Sequence, residues 1–387
     1  MLYRELGATA EQVSILGFGC MRLPVVGGRR ECIDVPLATK MLHHAVDHGV
    51  NYVDTAFPYH GGFFDETPGT SEAFVGEALA GGYRDKVLLA TKLPGWLVKS
   101  RADMDRILAG QLERLRSDHI DCYLLHAMGA AGWAKLADLG VRDFLDAARA
   151  DGRIRYAGFS YHDDSSAFAP IVDAYDWDFC QIQYNFMDVE FQAGAAGVKY
   201  AADHGLGVIV MEPLKGGRLA GRVPAAVQDL WDTSLVKRTP VEWALRFVWD
   251  EHRVNLLLSG MSTLDQVVTN VALADKGNAG ALSRSDLELI EQVREAYRAR
   301  IAVDCTACLY CMPCPSGINI PLVLSLLNNA SLFDDPAREP GGYKIVVAMG
   351  QTARASDCTE CGQCEEACPQ QIKVTEELAK AVRMFES

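Results

Sequence analysis

A parallel α/β barrel followed by a small cysteine-rich domain is the fold this sequence predicts, and three observations carry the prediction. Eight short apolar runs alternate with helix-like segments between residues 13 and 260, the rhythm of a (β/α)8 TIM barrel rather than of an open sheet. No strand-to-helix turn carries the Gly-x-Gly-x-x-Gly loop of a dinucleotide-binding open sheet. Eight of the twelve cysteines fall in two tight runs near the carboxyl end, where the composition changes. The expected division is residues 1–300 for the barrel and 301–387 for the second, mainly helical domain.

The elements follow in order. Val13–Gly19 is the first candidate strand, whose glycines permit close approach of another backbone or a ligand. Leu37, Met41, Leu42, Ala45 and Val46 recur at helical spacing, and Gly49 ends that pattern as a C′ glycine does. Asn51–Ala56 is the second strand. Ser71–Ala80 reads as a helix closed by Gly81 and Gly82, and Lys86–Lys92 as the third strand. Ser100 and Asp103 have the spacing of a capping box, Ile107, Leu108, Leu112 and Leu115 supply an apolar face, and Ile120–His126 is the fourth strand. A helix around Val141–Ala150, a strand Arg155–Ser160, a helix around Ser166–Ala174 and a strand Phe179–Tyr184 continue the alternation. Gly194–His204 reads as helix and Gly207–Glu212 as strand. Pro240 sits where the start of a helix tolerates it, before Val241–Trp249. Leu256–Gly260 is the last strand and Ser285–Arg300 a closing helix with Leu287, Ile290 and Val293 on one face.

Composition narrows the function. A net charge of −14 repels nucleic acid and anionic membrane surfaces, so neither is an expected partner. The first residues lack the apolar core of a signal peptide and no run reaches the length of a membrane span, which gives a cytoplasmic expectation. The clustered cysteines ask for metal rather than for disulfides.

Four titratable side chains fall at or just beyond successive strand ends: Asp54, Tyr59 in the loop five residues on, Lys92 and His126. A free phenol with a pKa of about 10 is a poor proton donor at neutral pH unless a cation stabilises its phenolate. Lys92 supplies the charge, Asp54 the counter-charge that a desolvated lysine needs, and His126 a group to orient a substrate oxygen. Taken singly, each has an ordinary structural explanation; together, at the carboxyl ends of barrel strands where active sites lie, they point to catalysis.

The order Asp-x4-Tyr, Lys, His resembles the catalytic tetrad of the aldo-keto reductases, a (β/α)8 family, over roughly the first three quarters of the chain. The resemblance implies hydride transfer between NAD(H) or NADP(H) and a small carbonyl or alcohol substrate, with Tyr59 as general acid/base. It places the nucleotide against Cys20, Met21 and Asp54, with Ser160 and Gln181 holding the carboxamide and Met211 where many members stack an aromatic ring. The adenine side would meet Gly260, Ser262, Gln266 and Asn270. No Lys or Arg occurs from Val254 to Asp275, so a 2′-phosphate would lack its usual cations unless Lys215, Arg218 or Arg222 substitutes. Trp96, Trp133, Phe63 and Phe64 lie in loops that would line an apolar pocket.

Cys305, Cys308, Cys311 and Cys314 end in Pro315, and Cys358, Cys361, Cys364 and Cys368 end in Pro369. The two runs resemble the bacterial dicluster ferredoxin pattern, which implies two [4Fe-4S] clusters. In that pattern the fourth cysteine of each run ligates the other cluster. The implied sets are Cys305, Cys308, Cys311 and Cys368, and Cys358, Cys361, Cys364 and Cys314. Zinc on four thiolates is the alternative, although pairs of Cys-x2-Cys usually supply it. The first run departs from the ferredoxin spacing at its last interval, which bears on the pairing. The clusters also bring a possible redox partner protein. A rival reading makes the chain an iron-sulfur electron-transfer protein whose barrel is a docking or substrate-binding module. A third makes the clusters structural. Clusters pass single electrons and nicotinamide passes hydride, and no flavin site stands between them in this sequence.

Overall fold

The computed structural model describes residues 1–61, 66–334, 336–337 and 339–387. Phe63 and Phe64 lie outside the described residues. The chain divides into two compact units, one of residues 1–216 and 241–283 and the other of residues 217–240 and 284–387.

The first unit is a closed eight-stranded barrel in which every pairing is parallel. A two-stranded antiparallel hairpin, β1 (Tyr3–Glu5) and β2 (Gln12–Ser14), precedes it. The barrel strands are β3 (Leu16–Gly19), β4 (Tyr52–Asp54), β5 (Leu88–Leu93), β6 (Ile120–Met128), β7 (Ile154–Tyr161), β8 (Phe179–Gln183), β9 (Gly207–Met211) and β10 (Leu256–Ser259). The sequence pattern merges β2 and β3 into one run; in the structure the chain changes sheets between Ser14 and Leu16. A helix at Ala130–Asp138, ahead of Val141–Ala150, and another at Ala225–Trp231 are absent from the sequence reading.

Strand side chains alternate between faces, and this decides where the chemistry stands. Tyr52, Leu88, Ala90, Cys122, Leu124, Phe179, Ile209, Leu256 and Leu258 form the apolar filling of the barrel. The next inward position on each of six strands is Asp54, Lys92, His126, Ser160, Gln181 and Met211. Those six side chains therefore form the layer above the apolar plug, at the carboxyl mouth. Gly17 of β3 faces inward where a Cβ would come within 2.7 Å of Leu258 Cδ2, so the glycine makes room for its neighbours. The opposite strand faces pack against the surrounding helices through Phe18, Val53, Leu89, Leu125 and Phe159.

A buried polar network stiffens β5. Glu72 is wholly enclosed, pairs with Arg114 at 2.7 Å and accepts from Thr91 Oγ1 at 2.6 Å and Gln111 Nε2 at 2.8 Å. Gln111 also donates to the Lys92 carbonyl at 3.0 Å and accepts from Tyr123 Oη at 2.7 Å. The network fixes the strand that presents Lys92.

The second unit has its own core, built from Val303, Ile318, Val323, Leu327, Tyr343, Leu378 and Phe385 among others. Its principal helices are Arg284–Arg298, Ile320–Leu332, Glu339–Ala348 and Val374–Phe385. The segment 217–240 belongs to this unit: Arg218 donates from Nε and Nη2 to Glu339 Oε1 at 3.0 and 2.8 Å, and Arg238 pairs with Asp286 at 2.8 Å. No helix among the described residues is long and apolar enough to cross a membrane.

Removing Arg114 leaves a buried, uncompensated carboxylate, which costs about 3 kcal/mol or more. Arg114→Met is expected to lower the urea midpoint of the barrel accordingly. Arg106→Met, which removes an exposed pair with Asp103, is expected to change stability by less than about 0.5 kcal/mol.

Candidate functional site

At the barrel mouth the Lys92 ammonium has three oxygen acceptors: Asp54 Oδ1 at 2.6 Å, the Thr55 carbonyl at 2.9 Å and Tyr59 Oη at 3.3 Å. An ammonium has three hydrogens. All three are therefore used, and one of them goes to the Tyr59 oxygen. The phenol cannot direct its own hydrogen at Lys92, so its O–H is left to point elsewhere. Tyr59 comes from the loop after β4, which is held where Ser71 N–H donates to the Tyr59 carbonyl at 3.2 Å and Thr55 Oγ1 meets Ser71 Oγ at 2.8 Å.

Burial pushes the Tyr59 phenol up to about 12, against the pull of Lys92. For the buried ion pair the two partners point in opposite senses. Burial raises the Asp54 carboxyl, which favours neutrality. Lys92 is desolvated too, yet attraction to Asp54 and Tyr59 leaves it raised. With every ammonium hydrogen satisfied by oxygen, the ionised pair is the state this geometry supports.

His126 is buried beside Tyr59, with ring centroids 6.2 Å apart at 80°, and beside Trp96 at 5.2 Å. Burial, then the Lys92 charge and then His162 hold its pKa well below the usual imidazole value. It is therefore neutral at neutral pH. His162, one residue past β7, has no counterpart in the sequence reading. Tyr161 packs outward against Phe168 at 5.0 Å, so alternation turns His162 to the same face as Ser160. The residue is exposed as a whole, yet the surrounding barrel rim desolvates its imidazole, and that desolvation, then the Lys92 charge, pulls its pKa down to about 4. Trp96 joins the site, whereas Trp133 packs edge-on against Trp177 at 5.7 Å.

The nucleotide positions fall into two groups. Ser160 and Gln181 are paired across β7 and β8 and are nearly inaccessible. Gln181 Nε2 lies 3.8 Å from Met211 Sδ, while its Oε1 is buried with no hydrogen-bond partner. Ser160 Oγ accepts from Ala127 N–H at 2.8 Å and keeps its own hydrogen to give. One free acceptor and one free donor, side by side at the mouth, fit a carboxamide. The second group surrounds the start of the helix Leu264–Ala274. Ser262 N–H donates to Gln266 Oε1 at 2.8 Å, and Asn270 Nδ2 to Ser259 Oγ at 3.1 Å. Cys20 is fully buried in the packing outside the barrel and burial raises its thiol, so only its backbone is available to a ligand; Met21 is exposed.

Lys215, Arg218 and Arg222 are each engaged. Lys215 meets both Asp188 oxygens at 2.8 and 2.7 Å, Arg218 is held by Glu339, and Arg222 lies 3.8 Å from Asp334. A cation that the sequence reading missed stands instead beside Gly260: the stem of Arg22 lies 3.1 to 3.2 Å from where a Gly260 Cβ would be.

In the second unit the cysteines gather by set rather than by run. One cavity of about 260 Å³ is lined by Cys311, Cys314, Cys358, Cys361 and Cys364. Another, of about 20 Å³, is lined by Cys305, Cys308, Cys311 and Cys368. The first is roomy. The second holds about one water's space and is bounded by Thr306, Cys308 and Leu309 of an exposed loop. Among the described residues no three His, Cys, Asp or Glu side chains converge on one point suited to a single metal ion; the thiols surround spaces instead. Glu360 N–H donates to Cys358 Sγ at 3.4 Å. Burial, and then repulsion from Cys305, Cys308 and Cys368, raises Cys311 against the help of its own backbone hydrogen bond. Thiols gathered this closely around one space call for positive charge between them once they ionise.

Comparison with known proteins agrees with this geometry. The Aldo/keto reductase family model matches residues 15–295, and a 4Fe-4S dicluster domain model matches residues 304–373. Protein tas of Escherichia coli is 27% identical over 357 residues, covering 77% of this chain and 99% of the relative. The oxidoreductase YrpG of Bacillus subtilis is 28% identical over 293 residues, covering 71% and 82%. Among solved structures, an aldo-keto reductase of Bacillus halodurans in its holo form superposes with a TM-score of 0.62 at 26% identity, covering 76% of this chain and 96% of that one.

The depressed His126 has a consequence for stability. Its unfolded imidazole titrates near 6.5, so folding favours the neutral ring. That contribution is complete above about pH 6.5 and is lost as pH falls from there toward the depressed folded value. The thermal midpoint of His126→Asn is expected to fall less steeply than that of the parent protein below pH ~6.5.

Proposed function

The chain belongs to the aldo/keto reductase family, and on that premise we propose that its barrel moves hydride between a nicotinamide nucleotide and a carbonyl or alcohol, with Tyr59 as general acid/base. The observation that carries the proposal is the saturated Lys92. Because its third hydrogen goes to Tyr59 Oη, the Tyr59 hydrogen is free to reach a substrate oxygen. The ammonium beside that oxygen stabilises the phenolate left when the proton departs. Asp54 keeps Lys92 charged and in place. Neutral His126 holds the same substrate oxygen from a second direction and orients the carbonyl. Ser160 and Gln181 hold the carboxamide through their free donor and acceptor, and a bound nicotinamide supplies or takes the hydride. One relative supports the substrate class: a 6-dehydroglucose reductase of Novosphingobium aromaticivorans is 33% identical over 166 residues, 41% of this chain and 51% of that protein.

For the 4Fe-4S dicluster domain we infer two clusters with crossed ligation, one on Cys305, Cys308, Cys311 and Cys368 and the other on Cys314, Cys358, Cys361 and Cys364. The grouping of the thiols around the two cavities supports this assignment. Bound there, the clusters would supply one-electron capacity. Cys308 and Cys361 are exposed, which would give a small redox partner protein access to each.

Two outcomes test this reading. Tyr59→Phe keeps the ring and removes the hydroxyl; kcat for carbonyl reduction is expected to fall about 100-fold or more while nucleotide affinity stays unchanged. Anaerobically prepared protein is expected to hold about eight iron and eight sulfide per chain. Cys314→Ala should then damage the cluster of the distant second run, as read by electron paramagnetic resonance after reduction. Loss confined to the cluster on Cys305, Cys308 and Cys311 would overturn the crossed assignment, and zinc in place of iron would overturn the clusters.

A further inference from the structure

Arg22 follows β3 at the barrel mouth and reaches in two directions. Its stem lies over Gly260, where a Cβ would come within 3.1 to 3.2 Å of Arg22 Cβ, Cγ and Cδ. Its backbone carbonyl accepts from Ser262 Oγ at 2.7 Å, which pins it to the loop after β10. At the other end its Nη2 lies 3.5 Å from Glu212 Oε1. Glu212 follows Met211 and has a left-handed backbone, φ 57°, a conformation a glutamate rarely takes. Asn185 Nδ2 holds the Glu212 carbonyl at 3.0 Å, so neighbours enforce that turn. The ion pair thus spans from the residue beside the candidate nicotinamide position to the loop of the candidate adenine side. A dinucleotide lying between those two groups has to carry its diphosphate past this point.

We propose that Arg22 is the phosphate-binding cation of the nucleotide site and that Glu212 is its built-in stand-in anion, which the diphosphate displaces. This rests on the reading that the barrel binds a nicotinamide dinucleotide. Both side chains are substantially exposed, 41% and 32%, and exposed single contacts of this kind hold weakly and are screened by salt. A diphosphate offers the guanidinium more than one oxygen and a higher charge, the arrangement arginine prefers. Exchange of one anion for the other leaves Arg22 paired in both states. The carboxylate therefore tempers nucleotide affinity and, after displacement, is repelled by the phosphate that replaced it.

The two partners are then expected to respond in opposite directions. In equilibrium fluorescence titrations of the full chain, Arg22→Met should raise Kd about tenfold or more for NADH and NADPH alike, as loss of a charge-assisted contact does. Glu212→Gln should lower Kd about twofold to fivefold for both, and the double variant should bind as Arg22→Met does. Arg22→Lys, which keeps the charge without the fork, should fall between. An Arg22→Met Kd within twofold of the parent, a Glu212→Gln variant that binds no tighter, or an effect confined to NADPH overturns the assignment. If the parent chain binds neither nucleotide, the nucleotide reading itself falls and the assignment falls with it; binding by the parent with an unmoved Arg22→Met overturns the assignment alone.

Discussion

The enclosed Lys92 ammonium is the constraint around which the barrel mouth is arranged. Taking an ammonium out of water carries a penalty of several kcal/mol even after relaxation, and it is tolerated only where the geometry returns strong contacts. Here Asp54 supplies the charge at 2.6 Å, the Thr55 carbonyl a second acceptor and Tyr59 the third. Each acceptor comes from β4 or the loop that follows it, while Lys92 comes from β5. The pair therefore stitches two neighbouring strands at the level where the apolar filling ends. Any group that replaced the Tyr59 oxygen would have to accept a hydrogen from Lys92, so the position of the phenol is dictated by the lysine as much as by its own loop.

That arrangement needs a β5 that does not move. Glu72, Thr91, Gln111, Arg114 and Tyr123 lie on the side of β5 that faces the helices, and Gln111 reaches the Lys92 carbonyl itself. A buried, hydrogen-bonded network rigidifies the structure around it. The two faces of one strand thus have different duties: inward alternation sends Lys92 to the mouth, and outward alternation sends Thr91 into the network. Fixed donors are worth more to catalysis than mobile ones because they need no reorganisation when charge develops.

How much of this was legible from the chain alone depends on the distance over which a residue is decided. Asp54, Lys92 and His126 could be found because an apolar strand with period two ends in each of them, a local signal. Tyr59 followed from its spacing to Asp54. The hairpin of β1 and β2 was missed because Tyr3–Glu5 is too short for any periodic pattern, and Val13–Gly19 reads as one strand although Ser14 and Leu16 serve different sheets. The Lys215, Arg218 and Arg222 cations looked available because Asp188, Glu339 and Asp334, the carboxylates that engage them, are 27 or more residues away. Arg22 was invisible for the reverse reason. It lies more than two hundred residues from Gly260, and only barrel closure between β10 and β3 brings them together. The physical membership of 217–240 is of the same kind, since it rests on pairs with Glu339 and Asp286 that no local pattern announces.

The second unit carries the same lesson into its energetics. Its core is small, and Cys305, Cys311, Cys314, Cys358 and Cys364 pack directly against it. A thiol packed in an apolar setting prefers to stay protonated, as the raised Cys311 and Cys364 do, whereas a cluster ligand must be a thiolate. On the proposed ligation, positive charge between the thiols would reverse that preference and draw residues 305–314 and 358–368 onto common centres. The helices Ile320–Leu332 and Glu339–Ala348 lie in sequence between those two runs, so the proposed ligation across the runs would close the chain around them. Loop closure of this length is where a cross-link constrains the unfolded chain most. On the proposed crossed ligation, cluster binding and the apolar core of this unit would form one cooperative structure.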